Sequence, residues 1–100
     1  MKLVVLDAAA AELTAAVEWY EKKQVGLGDD LLLEAGRVLV AIADRPLTFP
    51  LAPSSSIVRK SLFKRFPYAA YFVIANERVS VMAFGHAHRR PGYWRSRLPR

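Results

Sequence analysis

The chain has 100 residues, of which 53% are hydrophobic and 24% are charged. This length suits one domain with a single core, and the composition excludes an intrinsically disordered chain. The lack of cysteine excludes a disulfide framework and thiolate metal sites, and no apolar run approaches the roughly 18 residues that span a bilayer. We therefore expect one domain over residues 1–100, located in the cytoplasm and without a membrane segment.

The net charge of +6 is unevenly distributed along the chain. Residues 1–56 contain five Lys or Arg and eight Asp or Glu, which gives −3. Residues 57–100 contain ten Lys or Arg and a single acid, Glu77, which gives +9. A basic half of this kind favours an anionic partner, either nucleic acid or an acidic protein segment. The alternative is a solvated basic surface without a partner.

Residues 2–6 form an apolar run that predicts a short buried strand. Residues 8–23 are rich in Ala, Glu and Lys, which favour helix, and Asp7 is placed to cap the N-terminus of this helix. Trp19 and Tyr20 are expected to pack in the core. The apolar face of the helix has the spacing i, i+4 and i+7, at Leu13, Val17 and Tyr20.

A second helix is predicted over residues 29–44, after the helix-breaking sequence Gly26-Leu27-Gly28. Pro46 ends this helix, because the residue before a proline disfavours helical backbone. The short link between the two helices favours an antiparallel helical hairpin. The apolar stripe of the second helix consists of Leu31, Ala35, Val38 and Ile42, and it is widened by Leu32 and Leu39.

The rest of the chain has the pattern of strands. Residues 45–56 contain three prolines and three serines and predict a loop. Strands are predicted over residues 57–63, 68–75 and 78–84, with a hairpin turn at Asn76-Glu77 and a basic, aromatic tail over residues 86–100. This order predicts an α+β fold, with an N-terminal strand, an antiparallel helical hairpin on one sheet face and a mainly antiparallel C-terminal sheet.

A series of short fragments extends from about Asp7 to Arg97. The fragments are Ala11-Glu12-Leu13, Val17-Glu18-Trp19-Tyr20, Gly26-Leu27-Gly28, Val58-Arg59-Lys60, Arg65-Phe66-Pro67-Tyr68, Val81-Met82-Ala83-Phe84-Gly85-His86 and Arg89-Arg90-Pro91-Gly92-Tyr93-Trp94. In this order and spacing they resemble the first helix, the interhelical turn, the strands and the tail of RelE/ParE toxins. The order of predicted elements is also the one found in that family.

The resemblance implies a growth-inhibiting toxin of a type II toxin–antitoxin system, held inactive in a hetero-oligomer with a cognate antitoxin protein. It leaves two targets open. RelE-like members cut messenger RNA on the ribosome as metal-independent endoribonucleases, whereas ParE-like members inhibit DNA gyrase and are not enzymes. A plain basic nucleic-acid-binding module is a third alternative. Fold alone does not choose among these functions.

The basic residues of the second half are candidates for binding the target or the antitoxin. RNA cleavage without metal needs an acid, a base and cations at the phosphate, and arginine suits the last role. We expect the strand and the tail to bring these side chains together on one sheet face. The candidates are Arg59, Lys60, Lys64, Arg65, Arg89 and Arg90, together with the tail aromatics Tyr93 and Trp94, which either stack on bases or fix the tail to the core.

His86 follows the last predicted strand and is a candidate acid or base near neutral pH, although a structural role for it stays open. In the nuclease alternative, Arg59, Arg65 and Arg89 would steady the phosphate beside it. His86 and His88 form an H-x-H pair, but no cysteine supports a metal site and the nearest acid in sequence is Glu77. We expect neither a metal nor a cofactor.

The sequence departs from the pattern of RelE-like nucleases at several positions. In those enzymes an arginine begins the penultimate strand, and two lysines alternate on the strand before it. Here Ala69 stands where that arginine would lie, and Lys60 is followed by Leu62 instead of a second lysine. Arg89 fits a later arginine. Since half of this set is missing, we slightly favour the gyrase-directed, non-enzymatic alternative.

Overall fold

A computed structural model describes residues 1–98 of the chain. The elements are strand β1 (Lys2–Val5), helices α1 (Asp7–Lys23) and α2 (Leu27–Asp44), strands β2 (Arg59–Leu62), β3 (Tyr68–Ala75) and β4 (Arg78–His86), and two 3-10 turns at Pro46–Thr48 and Arg95–Arg97. Within these residues no helix is both long enough and apolar enough to cross a bilayer. The predicted α+β class and element order are confirmed.

The four strands form one sheet in the order β1-β4-β3-β2. β1 pairs with β4 in parallel, and the other two pairs are antiparallel, so the sheet is mainly antiparallel as predicted. The turn between β3 and β4 is at Asn76 and Glu77, whose φ angles are 53° and 59°. Two consecutive positive φ angles are typical of the type I′ hairpin turn, which twists in the same sense as its strands.

The start of α1 differs from the prediction. Leu6 is the N-cap residue and makes no side-chain capping hydrogen bond, while Asp7 is the first residue of the helix. Asp7 therefore does not cap the helix; its charge lies in the first turn, where it complements the helix dipole. The Leu6 N–H donates to the Val81 carbonyl at 2.9 Å, so the chain continues β1 up to the residue before the helix.

The link between the helices depends on one carboxylate of α1. Glu21 accepts hydrogen bonds from the backbone N–H of Gly26 at 2.9 Å and of Gly28 at 3.0 Å. These N–H groups lie at the start of α2, where a helix has no internal acceptors for them. A Cβ at Gly28 would lie 2.7 Å from the Val17 carbonyl oxygen, so only glycine permits this approach of the helices. With its first N–H groups satisfied, α2 begins at Leu27, two residues earlier than predicted.

The main core lies between the helical hairpin and one face of the sheet. The predicted stripe of α2 is buried there together with sheet residues such as Phe72 and Phe84. Leu39 packs at the margin of this core, as expected, but Leu32 is 52% exposed. Leu32 is one position past Leu31 and so is turned about 100° away from the stripe.

The second face of the sheet is covered by the C-terminal tail. Trp94 is 2% exposed and packs with a smaller cluster formed by residues of the loop before β2, β3, β4 and the tail. Its ring lies 5.5 Å from that of Tyr71 on β3. The sheet is therefore a middle layer, with the helical hairpin on one face and a tail held by one large aromatic side chain on the other.

Candidate functional site

Glu12 of α1 completes the exposed edge of β4. β1 ends opposite Val81, yet β4 continues to His86, so the last part of β4 has no neighbouring strand on this side. Glu12 Oε1 accepts the Phe84 N–H at 3.1 Å, and Arg97 donates to the Met82 carbonyl at 3.0 Å. Side chains thus satisfy backbone groups that a strand would otherwise pair, as buried polar groups require.

The same carboxylate fixes the tail. Arg97 forms an ion pair with Glu12 at 2.7 Å, and the Tyr93 hydroxyl donates to Glu12 Oε2 at 2.8 Å. Burial and this hydrogen bond raise the pKa of Tyr93 above its usual value of 10.0, and the hydrogen bond to Glu12 raises the pKa of Arg97. Tyr93 passes so close to β4 that a Cβ on Gly85 would lie 2.8 Å from its hydroxyl oxygen. Any larger residue at this position would displace the Tyr93 ring.

A cleft of about 410 Å³ opens between α1 and the end of β4, next to the Glu12 cluster. We call it the α1–β4 cleft. It is lined by Glu12, Ala15, Ala16, Trp19, Tyr20, Tyr68, Phe84, His86 and Arg89. Aromatic side chains and two small alanines form most of its walls, and a carboxylate, an imidazole and a guanidinium supply its polar groups.

His86 lies at the end of β4 on the α1 side of the sheet. Its Nδ1 accepts the backbone N–H of His88 at 3.1 Å, and its ring meets Tyr68 edge-on with centroids 5.2 Å apart. The two histidine rings stack at 5.1 Å. Within residues 1–98 no group of three or more His, Cys, Asp or Glu side chains is placed to hold a metal ion.

Arg89 is the cation of the cleft. Its guanidinium lies 4.0 Å from the centroid of the Tyr93 ring, a cation–π contact that holds the side chain beside His86. The ion pairs found among residues 1–98 do not include Arg89, so no carboxylate there neutralises it. Arg90 is exposed and lines no part of the cleft.

The structure does not bring the predicted basic residues together on one sheet face. Arg59 pairs with Phe72 on the helix side and donates to the Phe49 carbonyl at 2.6 Å, whereas Lys60 pairs with Tyr71 on the tail side. Consecutive residues of a strand point to opposite faces, which separates them. Arg59 is opposite Phe72 on β3, and His86 is opposite Tyr68 on the same strand. These two β3 positions are four residues apart, which corresponds to about 13 Å along the strand.

Lys64 and Arg65 lie in the loop between β2 and β3, where a buried carboxylate of α2 fixes the backbone. Glu34 is 8% exposed and accepts the backbone N–H groups of both residues, that of Arg65 at 3.2 Å. The Arg65 guanidinium approaches Asp30 at 3.4 Å on the surface. This loop is thus oriented by α2, and its two cations are separate from the α1–β4 cleft.

The two tryptophans lie in different environments, and only that of Trp19 differs from the prediction. Trp94 is buried, so it fixes the tail and does not present a stacking surface, while Tyr93 is partly buried and supports Arg89. Trp19, expected in the core, is 56% exposed and lines the α1–β4 cleft. Tyr20 packs against the core as expected, and its ring lies 5.0 Å from that of Phe66.

The outer face of α2 carries several exposed apolar side chains. It consists of Leu32, Leu33, Gly36 and Val40, with Leu33 58% and Val40 70% exposed. A shallow groove of about 860 Å³ runs along it, and Asp29 and Asp44 lie at its two ends. Gly36 has no side chain to block a second backbone, and a Cβ there would meet nothing within 4 Å.

Sequence reasoning missed the two carboxylates that organise the site. Glu34 follows Leu31 by three positions and so falls on the buried stripe of α2, and Glu12 falls on the inner side of α1 between Ala9 and Ala16. An acid on an apolar helix face is the signal that was available, because a buried carboxylate requires donors. Which donors it meets is a matter of tertiary structure.

The fold of the chain has a counterpart among solved structures. No protein-family model and no curated protein sequence matches the chain. Among solved structures, it is similar to a chain described as "Chromosomal ParDE TA system from P. aeruginosa", with a TM-score of 0.61 and 22% identity. The match covers 86% of this chain and 95% of that chain. This similarity confirms the predicted RelE/ParE-like fold.

Proposed function

We propose that this protein is the toxin of a type II toxin–antitoxin pair, which acts in the cytoplasm and is held inactive by a cognate antitoxin protein. The observation that carries the proposal is the fold shared over 86% of the chain with a member of a ParDE toxin–antitoxin system. The family resemblance of the sequence fragments and the basic second half support it independently.

The outer face of α2 is the proposed antitoxin surface. Monomeric proteins seldom leave several large apolar side chains together in water, and such patches typically mark interaction sites. Leu33 and Val40 provide helix-spaced apolar contacts, and Gly36 allows a second helix to approach. Because Leu33, Gly36 and Val40 line the groove, its proposed occupant is the apolar face of a helical segment of the antitoxin.

The preferred target is DNA gyrase, bound without catalysis. Cleavage of RNA needs an acid, a base and cations around one phosphate. The cations are instead distributed: Arg59 is bonded to a backbone carbonyl, Arg65 lies beside Asp30, and Arg89 alone adjoins His86. Glu12, the one carboxylate in the cleft, already accepts from three groups. Dispersed cations favour a broad binding surface formed by Arg59, Lys60, Lys64, Arg65, Arg89 and Arg90.

The second candidate is a ribosome-dependent endoribonuclease, which the proximity of His86 and Arg89 favours. In that case His86 is the acid or base, and its replacement by Ala lowers cleavage at least about a hundredfold. Unchanged cleavage by His86→Ala would exclude this role. The third candidate, a plain nucleic-acid-binding module, requires affinity for random duplex that falls steeply as salt rises.

Two assays on the same protein separate these targets. The purified chain is added to gyrase in a supercoiling assay, and transcript 5′ ends are mapped in cells that express it. Loss of supercoiling without new 5′ ends is the expected result. New ends inside translated codons would identify a nuclease and contradict the gyrase proposal.

The antitoxin surface is tested with matched valine substitutions. Val40→Asp places a charge on the outer face, whereas Val25→Asp changes an 89% exposed valine outside it. We expect Val40→Asp to weaken binding of the antitoxin at least about tenfold and Val25→Asp to leave it unchanged. Circular dichroism confirms that both variants are folded. Equal binding by both variants would remove the outer face of α2 from the interface.

A further inference from the structure

We propose that Arg97 is a positioning residue. It holds a β-bulge in β4, and the bulge sets where His86 and Arg89 lie in the α1–β4 cleft. Arg97 is not among the residues that line the cleft, so it acts through the strand and the tail and not on a ligand. The effect of Arg97 on these positions is independent of the target, whereas its consequence for toxicity rests on the proposed function.

The pairing of β3 with β4 shifts by one residue at Met82. Tyr71 of β3 lies opposite Ala83, whereas the next residue of β3, Phe72, lies opposite Val81. Met82 therefore has no partner on β3, which defines a β-bulge. A bulge bends its strand and interrupts the ladder of backbone hydrogen bonds, so the backbone groups near it need other partners.

The bulge decides which face the end of β4 presents to the helices. Val81 lies in the main core, whereas Met82 and Ala83 both lie in the cluster under the tail. Strict alternation after Val81 would turn Phe84 and His86 toward the tail. With the extra residue, Phe84 is buried in the main core and His86 lines the α1–β4 cleft. The place of His86 in the cleft thus depends on the bulge.

Arg97 and Glu12 provide the partners that the bulge needs. Arg97 donates to the Met82 carbonyl at 3.0 Å and to Glu12 Oε1 at 2.7 Å, and Glu12 Oε1 accepts the Phe84 N–H at 3.1 Å. The two bonded backbone groups lie on either side of Ala83, so the bulge is held from both ends. A guanidinium presents its donors in a rigid planar fork, which suits it to connect several acceptors.

The same side chain supports Arg89 through Tyr93. The Arg97 guanidinium lies 5.3 Å from the centroid of the Tyr93 ring, and that of Arg89 lies 4.0 Å from the same centroid. The Tyr93 hydroxyl also donates to Glu12, the ion-pair partner of Arg97. Without Arg97, the bulge and this ring each lose a contact, while Phe84 stays buried in the main core. We therefore expect a folded chain in which the polar groups of the cleft are less precisely placed.

The test replaces Arg97 by methionine, which keeps an unbranched side chain and removes the donors. Hydrogen exchange at the Phe84 amide should become at least about tenfold faster. The nuclear Overhauser effects between the rings of His86 and Tyr68, whose centroids are 5.2 Å apart, should weaken. Arg95→Met is the matched control, because Arg95 is an exposed arginine of the same tail, and it should leave both signals unchanged.

A purely structural role for Arg97 gives a different result. In that case Arg97→Met would lower the urea midpoint and leave the ring contacts of His86 unchanged, which would overturn the proposal. Arg97→Lys covers the case in which Arg97→Met does not fold, because it keeps a positive charge beside Glu12 but has one nitrogen where the guanidinium uses two. Exchange at Phe84 should still be at least about threefold faster in this variant, and unchanged exchange would contradict the inference.

Activity is measured separately, so that this inference and the proposed function can fail separately. In the target assay in which the unmodified chain is active, Arg97→Met should raise the half-maximal concentration at least about tenfold, and Arg95→Met should not change it. Full activity of Arg97→Met with weakened His86 contacts would overturn the role of the bulge in toxicity. If the unmodified chain is inactive on both targets, the proposed function fails, and the exchange and ring contacts alone decide the positioning role.

Discussion

The two faces of the sheet are covered in very different ways. The helical hairpin covers one face with two long helices and a core that includes residues from α1, α2, β3 and β4. The tail covers the other face with a smaller cluster around Trp94. A short segment cannot bury enough apolar area to hold itself in place, so it depends on one large side chain and a polar connection to the first layer. Glu12 is that connection.

The comparison predicts the largest effect at Trp94. Trp94→Ala leaves a cavity under the tail and should lower the free energy of unfolding by about 3–5 kcal/mol, measured by urea denaturation. Trp19→Ala is the matched control, because Trp19 is exposed on the hairpin side. Its loss should cost about 1 kcal/mol or less. Equal losses for the two variants would show that the tail is not held by Trp94.

The next effect concerns the polar connection between the two layers. Glu12→Gln removes the charge that pairs with Arg97 and should lower the free energy of unfolding by about 1–3 kcal/mol. Hydrogen exchange should increase at the Phe84 amide, which donates to Glu12. Glu18→Gln, at an exposed position of the same helix, is the control and should have little effect. Unchanged protection at Phe84 would contradict the account.

The alkaline pH dependence of stability reports on the same connection. The pKa of Tyr93 is raised above 10.0 by burial and its hydrogen bond to Glu12. The protonated phenol is therefore favoured in the folded state, and its contribution is complete below pH 10 and declines as pH rises further. We expect the urea midpoint to fall as the pH rises above 10, and to fall less in Tyr93→Phe. An equal fall in both proteins would exclude this contribution of Tyr93.

The smallest effect is expected at the β3–β4 turn, which both faces share. Glu77 has a φ of 59°, a conformation that costs a residue with a side chain more than glycine. Glu77→Gly creates the preferred Asn-Gly turn and should raise the free energy of unfolding by about 0.5 kcal/mol. Because this turn belongs neither to the helical hairpin nor to the tail, the gain in the free energy of unfolding should be the same in the Trp94→Ala variant. A larger or smaller gain there would indicate coupling between turn and tail.

Much of the fold was predictable because periodicity depends on local sequence. The stripe of α2 and the strand over residues 68–75 were correct, since each combines a clear period with strong propensity. The burial of the two tryptophans was not predictable from the sequence, because only the packing of the tail decides which of them is buried. The position of Trp94 depends on Gly85 and on a carboxylate 82 residues earlier in the chain.

The candidate site was predictable in composition and not in placement. Arg59 and Lys60 were correctly identified as charged strand residues, but neighbours in a strand point to opposite faces. His86 and Arg89 do line one cleft, as their proximity in the sequence suggested. The third component, Trp19, lies on α1. It could be assigned to the cleft only once the packing of α1 against β4 was known. Long-range pairing is therefore the information that single-sequence patterns lack.

The most direct test of the toxin proposal is the growth of bacterial cells in which this chain is induced alone or together with its candidate antitoxin, a small neighbouring open reading frame. We expect arrest with the chain alone, restored growth with the antitoxin, and arrest again when Val40→Asp replaces the unmodified chain beside the antitoxin. Unchanged growth on induction of the folded chain alone would contradict the central claim.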